Sequence, residues 1–244
     1  MITINYPSIM PLGFKPCELA ARYNVDQFIE DAWHAYSGKR TAKILRVNLI
    51  PNPPTPSLLL NAGAGVYEIG IPGWIEIPYD LFEAPIRDRP DAITGSIENM
   101  PFEPAKFDAV VCVGEVLGYC DPQRAICEFA RVLKPDSMLV CDFSSTRSLR
   151  RWFNPEYGRA ADIVTDQYNG SPEPIWVYDP AYIFSLLKIH GFSIKSVHGT
   201  HTWSAIARKA GVSGGRAIWL QERLGWLPLP SVWADVVTIV AVRL

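Results

Sequence analysis

The chain has 244 residues, 48% of them hydrophobic and 20% charged, a balance that sustains one substantial core and excludes a disordered chain. Its formal charge of −2 leaves no basic excess to neutralise phosphates, which argues against a nucleic-acid partner. There is no run of 18 or more apolar residues, and the start Met1-Ile2-Thr3-Ile4 is not a signal peptide; a cytoplasmic protein without a membrane partner is expected.

In chain order, the first expected element is an N-terminal helical segment over 1–50. Asn24 can cap a helix with Val25, Phe28, Ile29, Ala32 and Tyr36 on one face. Pro51, Pro53, Pro54 and Pro56 then mark a linker into a second unit, 51–244. Leu58–Leu60 reads as a buried strand, and it runs into the turn Asn61-Ala62-Gly63-Ala64-Gly65. Gly63 and Gly65 carry no Cβ and tolerate positive φ, so a ligand can approach the backbone there. Chain leaving the end of a parallel strand is where α/β sheets bind ligands.

No Lys follows this turn, which removes a phosphate-binding loop, and no third Gly opens a helix, as a dinucleotide fingerprint requires. Gly70, Pro72 and Gly73 make a regular helix after the turn unfavourable. Trp74–Tyr79 alternates as a second strand and ends at Asp80, whose carboxylate can accept hydrogen bonds from a diol. Glu76 and Glu83 compete for that role, because the strand register is uncertain by a residue or more.

Asp108–Val113 is a nearly continuous apolar run, as in a central parallel strand, and Gly114 then turns the chain. Asp121-Pro122 starts a helix as N-cap and first residue; Ile126, Phe129, Ala130 and Leu133 form its buried face and Lys134-Pro135 its stop. Met138–Phe143 is the next strand. Asp179-Pro180 starts a second helix that Gly191 ends, and Phe192–Val197 and Val236–Val242 are the last strands. Two insertions, about 144–178 and about 199–233, hold six of the eight tryptophans. The alternation predicts a three-layer α/β domain.

Cys112 and Cys141 fall inside strands and read as packing residues. With no C-x-x-C and four scattered histidines, no metal site is expected.

In this order and spacing, the Asn61–Gly65 turn, Asp80, Glu98-Asn99-Met100-Pro101-Phe102, Phe107-Asp108-Ala109-Val110 and Arg131-Val132-Leu133-Lys134-Pro135 resemble the S-adenosylmethionine-dependent methyltransferases of the Rossmann-like class. Pro72-Gly73-Trp74-Ile75 resembles a subgroup with a loop in place of the first helix. The resemblance implies a mostly parallel seven-stranded sheet whose last strand is antiparallel and slots between its neighbours. It also implies S-adenosylmethionine as cofactor. Asn61, Gly63 and Gly65 would lie at the methionine end, with Gly114 at the fourth-strand exit; Asp80 would hold the ribose, and Ser96 with Ile97 the adenine. Ser96 stands where the family usually has an acidic residue, and Asn61 where it often has one, so both departures remove charge from the site.

Methyl transfer requires an in-line arrangement and exclusion of water, and a hydroxyl acceptor also needs a base. Glu115, His198 and His201 are the candidates for that base, at the exits of the fourth and sixth strands. Tyr119 and Trp203 are candidate substrate contacts. The aromatic-rich insertions favour a small apolar or aromatic acceptor; the same tryptophans also suit lobe packing or a homodimer contact. Two other readings remain: a non-methylating reaction such as a cyclisation on the same fold, and a non-catalytic partner subunit.

Overall fold

The apolar runs expected as strands pair into one seven-stranded sheet. The computed structural model describes residues 32–53, 55–168, 171–227 and 229–244. It contains β1 (Ser57–Ala62), β2 (Trp74–Asp80), β3 (Ile93–Thr94), β4 (Phe107–Cys112), β5 (Leu133–Ser144), the hairpin β6 (Ala161–Tyr168) and β7 (Ser171–Tyr178), β8 (Phe192–Thr200) and β9 (Val236–Arg243). The main sheet has the order β3-β2-β1-β4-β5-β9-β8, and the hairpin forms a separate two-stranded sheet. β9 is antiparallel to β5 and β8 and lies between them; the other neighbours pair in parallel. This is the topology the resemblance implies.

Both faces of the sheet are covered, which is why β4 is apolar along most of its length. Leu60, Val110, Cys112, Leu139 and Cys141 face α2 (Pro122–Val132) and α3 (Pro180–Ile189), whose Ile126, Phe129, Ile183 and Leu187 complete that core. On the opposite face Leu59, Ala109, Val111, Val140 and Val240 receive Ile44 and Leu45 of α1 (Ala32–Asn48), together with Leu49 and Ile71. The expected Asn24 cap, Val25, Phe28 and Ile29 lie outside the described residues.

The helix starts follow the expected chemistry. Asp121 accepts the Gln123 N–H at 2.9 Å and Asp179 the Ala181 N–H at 2.8 Å, with proline next in each case. Helix α2 stops earlier than expected. It ends at Val132, and Lys134 and Pro135 already belong to β5. Between β1 and β2 the chain forms turns and no helix, as Pro72 and its flanking glycines require.

The family-like motifs clamp one another. The Arg131 Nε donates to Glu128 at 2.7 Å and its Nη2 to the Met100 carbonyl at 2.9 Å, while Glu128 accepts the Met100 N–H at 2.6 Å. Asp108 accepts the Leu58 N–H at 2.9 Å and the Lys134 ammonium at 2.7 Å, tying the starts of β1, β4 and β5. These charge-assisted bonds fix the amino ends of the strands and the segment that follows the 95–99 turn.

The first insertion contains the β6–β7 hairpin, and Tyr178 at its end donates to both Leu117 and Cys120 carbonyls at 3.2 Å. The second contains α4 (Trp203–Lys209) and α5 (Gly214–Leu224). No helix among the described residues is long and apolar enough to cross a membrane.

Candidate functional site

The carboxyl ends of β1, β2, β4 and β5 converge on one edge of the sheet. Gly63 leaves β1 at φ 76°, and its N–H and that of Ala64 donate to the Tyr79 carbonyl at 2.7 and 3.1 Å. Gly65 follows at φ 50°. Its N–H donates to Asp80 Oδ2 at 2.8 Å, and Asp80 Oδ1 accepts the Phe82 N–H at 3.0 Å. Asp80 is only 8% exposed. Burial raises its pKa above the usual carboxylate range, and the N–H donors of Phe82, Gly65 and Leu81 oppose that rise.

The two competitors for Asp80 fall elsewhere. Glu76 accepts Asn61 Nδ2 at 2.8 Å and the Ile69 N–H at 2.9 Å and is ion-paired with Arg89, so it anchors the 63–73 loop. Glu83 is exposed. Asn61, expected at the methionine end, has its amide nitrogen committed to Glu76 and to the Tyr67 carbonyl at 3.0 Å.

The next wall is the 95–99 turn. Gly95 donates to the Asp80 carbonyl at 2.8 Å, Ile97 is buried, and the half-buried Ser96 hydroxyl accepts the Glu98 N–H at 3.2 Å. Tyr79 donates to the Ser96 carbonyl at 2.9 Å, and burial pushes its phenol up to about 12. Turn and β2 end are therefore one hydrogen-bonded unit.

At the β4 exit, Gly114 has φ 89° and Glu115 φ 62°, a left-handed conformation uncommon outside glycine. Their N–H groups donate to Asp142 at 3.2 and 2.7 Å, and Ser144 donates a short hydrogen bond to the Glu115 carboxylate. A Cβ built on Gly114 meets nothing within 4 Å, so this edge is open. Val116, which begins a 3-10 turn over Val116–Tyr119, packs against Gly63; a Cβ there would lie 2.4 Å from Val116 Cγ2.

Asp142 is a buried carboxylate at this edge that the sequence reading did not single out. Its signal was a carboxylate at the end of an otherwise apolar strand. Burial pushes its pKa up to about 6, against the pull of the Glu115 and Gly114 N–H groups. A raised carboxyl pKa contributes stability that is fully present below about pH 4 and is lost as pH rises through about 6. The shift corresponds to roughly 3 kcal/mol at most. Melting temperatures from pH 3 to 8 should therefore show a decline between about pH 4 and 6 that levels off above about 6 in the wild type and is absent in Asp142→Asn. Parallel curves for the two proteins would exclude this titration.

His198 shares the face of Asp142. Cα pairing runs Asp142–Thr238–His198 across β5, β9 and β8, which puts His198 about 10 Å from Asp142 by strand spacing. Its Nε2 bonds Ser196 Oγ at 2.9 Å, and burial, then Arg40, lower its pKa. His201 corrects another expectation. It is 0% exposed, stacked on Trp33 with centroids 3.6 Å apart, and bonded through Nε2 to Ser37 at 2.7 Å and through Nδ1 to Ser204 at 3.0 Å. It locks α1 to α4 and does not offer a ring nitrogen as a base. Trp203 is half-buried at the start of α4, its N–H held by Gln221 Oε1 at 2.8 Å; Tyr119 is exposed just past the β4 exit. Cys120 is buried and its thiol is pushed far up by burial, so it is not a nucleophile. Among the described residues no group of three His, Cys, Asp or Glu side chains could hold a metal ion.

The Asp80 acceptor suits a ligand with a diol. Asp80 Oδ2 accepts the Gly65 N–H and Oδ1 the Phe82 N–H, and the carboxylate retains acceptor capacity toward a hydroxyl. Comparisons with known proteins bear on the fold. Residues 78–141 match the model of a methyltransferase domain, about a quarter of the chain. None of the curated proteins matches the chain. Among solved structures, one from Listeria monocytogenes assigned to the S-adenosylmethionine-dependent methyltransferases shares 13% identity, covering 88% of this chain and 100% of that one, with a TM-score of 0.63. The glycopeptide N-methyltransferase MtfA, complexed with S-adenosyl-L-homocysteine, shares 15% identity over 85% of this chain and 90% of its own, at 0.55. The [4+2]-cyclase SpnF also shares 15%, over 88% and 84%, at 0.56. The chain thus has the Rossmann-like fold of the S-adenosylmethionine-dependent methyltransferases, with a methyltransferase-domain match running from β2 into β5.

Proposed function

We propose that the chain binds S-adenosylmethionine and transfers its methyl group to a small, apolar or aromatic acceptor. The observation that carries this reading is the buried Asp80 carboxylate at the β2 end, joined to the Gly65 N–H of the glycine turn. Asp80 receives the ribose hydroxyls, Gly63 and Gly65 lie under the methionine end, and Ser96 with Ile97 border the adenine. The cofactor supplies an electrophilic methyl carbon on a sulfonium, whose C–S bond breaks as the bond to the acceptor forms. Glu115 and Tyr119 stand at the open β4 edge where the acceptor is held, and Trp203 is the aromatic contact from the second insertion. An acceptor hydroxyl would give its proton to Glu115, Asp142 or His198, whereas a carbon or nitrogen acceptor needs less help.

Calorimetry with S-adenosylmethionine and release of S-adenosylhomocysteine over a panel of small phenols, amines and apolar aromatic acceptors test the proposal. Trp203→Ala should raise KM several-fold with cofactor affinity unchanged. Methylation of tRNA, DNA or protein alone, with no turnover of any small acceptor, refutes it. A second reading, cofactor-retaining chemistry without methyl transfer, is favoured by the likeness to SpnF. Cofactor binding without S-adenosylhomocysteine release, accompanied by conversion of an acceptor, would select it.

A further inference from the structure

The outer face of α5 bears cations and tryptophans at helical spacing. Arg216, Trp219 and Arg223 fall at i, i+3 and i+7, and Trp226 continues the stripe just beyond Gly225. All four are exposed, Trp219 by 55% and Trp226 by 76%. The Arg223 guanidinium sits 5.4 Å over the Trp219 ring. The opposite face, Ala217, Ile218 and Gln221, is buried, and Gln221 holds the start of α4 through the N–H groups of Trp203 and Ser204. The stripe therefore belongs to a docked helix and is not part of the core. Its C-terminal continuation, Gly225-Trp226-Leu227-Pro228-Leu229-Pro230, has no polar side chain.

Charge selects what this face can meet. The 199–233 insertion holds four cations, Arg208, Lys209, Arg216 and Arg223, against the single carboxylate of Glu222, a net +3 inside a chain of net −2. A two-fold contact between copies would set Arg216 and Arg223 against their own images, which like-charge repulsion disfavours. A single-stranded nucleic acid needs a basic groove that tracks its backbone, whereas this stripe lies along a convex helix. Tryptophans that place an apolar ring beside a polar edge, flanked by arginines, match the interface of an anionic bilayer.

We infer that the α5 stripe docks the protein on the surface of anionic phospholipid membranes. Arg216 and Arg223 meet lipid phosphates while Trp219 and Trp226 enter the headgroup layer. No membrane-spanning segment is needed, so the absence of a long apolar run bears only on spanning.

The test is co-sedimentation of the full chain with neutral phosphatidylcholine vesicles and with vesicles containing about 30 mol% phosphatidylglycerol. The wild type should partition at least about 10-fold more strongly onto the anionic vesicles and should be released by about 0.5 M NaCl. Trp219→Ser with Trp226→Ser, and separately Arg216→Gln with Arg223→Gln, should each lower partitioning about 10-fold at unchanged circular dichroism. Equal binding to neutral and anionic vesicles, or wild-type partitioning by both double variants, overturns the inference. So does binding of a single-stranded oligonucleotide in place of vesicles, or self-association lost in the tryptophan variant without vesicle binding.

Discussion

Gly63→Val should lower the melting temperature by roughly 5–15 °C, the shift expected for a loss of about 2–5 kcal/mol in a chain of this size. Two costs add. The backbone at Gly63 has φ 76°, where a side chain is strained by roughly 1–2 kcal/mol. The new Cβ would meet Val116 Cγ2 at 2.4 Å and Cγ1 at 2.7 Å, an overpacking that costs typically about 1–3 kcal/mol. From the sequence, this turn reads as a ligand surface where a side chain would block the cofactor and leave the fold intact. The structure changes the expected readout, because the β4 exit already fills the space beside Gly63. Val116→Ala should recover part of the lost stability in the Gly63→Val background. A thermal scan in which Gly63→Val melts with the wild type, or in which the second substitution restores nothing, would remove the contact from the account.

Asp80→Ala should weaken S-adenosylmethionine binding by about 1.5–3 kcal/mol, a 10- to 150-fold rise in Kd, as expected for hydrogen bonds to a charged acceptor. Glu83→Ala should leave Kd unchanged, since that side chain is exposed beyond the strand end. Glu76→Ala should act first on stability. Its carboxylate gathers Asn61, Ile69, Gly70 and Arg89, and without it the loop loses its anchor. Isothermal titration of the three variants, alongside their melting temperatures, separates the roles. A Kd that rises for Glu83→Ala and stays constant for Asp80→Ala would move the ribose site to a different carboxylate.

These two sites also explain why short motifs far apart in the chain occur together. Glu128 and Arg131 of the last helical turns reach the backbone of Met100, and Asp108 joins the start of β1 to Lys134 of β5. The first clamp holds the segment that follows the 95–99 turn, and the second holds the amino ends of β1, β4 and β5, opposite the site edge. Losing the Glu128–Arg131 clamp should therefore displace the 95–99 turn.

Much of this was legible in the chain itself. The apolar runs Leu58–Leu60, Asp108–Val113 and Met138–Phe143 became central strands, because a parallel strand covered on both faces must be apolar throughout. Asp121-Pro122 and Asp179-Pro180 started their helices, since capping and the fixed proline φ act within a few residues. Gly70, Pro72 and Gly73 kept a helix out of the β1–β2 connection for the same local reason. Residues that meet across the fold were decided only by tertiary structure. Asp142 came to hold the β4 exit because Gly114 and Glu115, just past the adjacent strand, point their N–H groups at it. His201 became a packing residue because Trp33, Ser37 and Ser204 enclose it from two different helices. Asn61 turned into its own loop, and Val116 filled the space beside Gly63. Local propensity is written in neighbouring residues, whereas burial and hydrogen-bond partners also depend on chain that arrives from far along the sequence, 27 positions for Glu115 at Asp142 and 164 for Ser37 at His201.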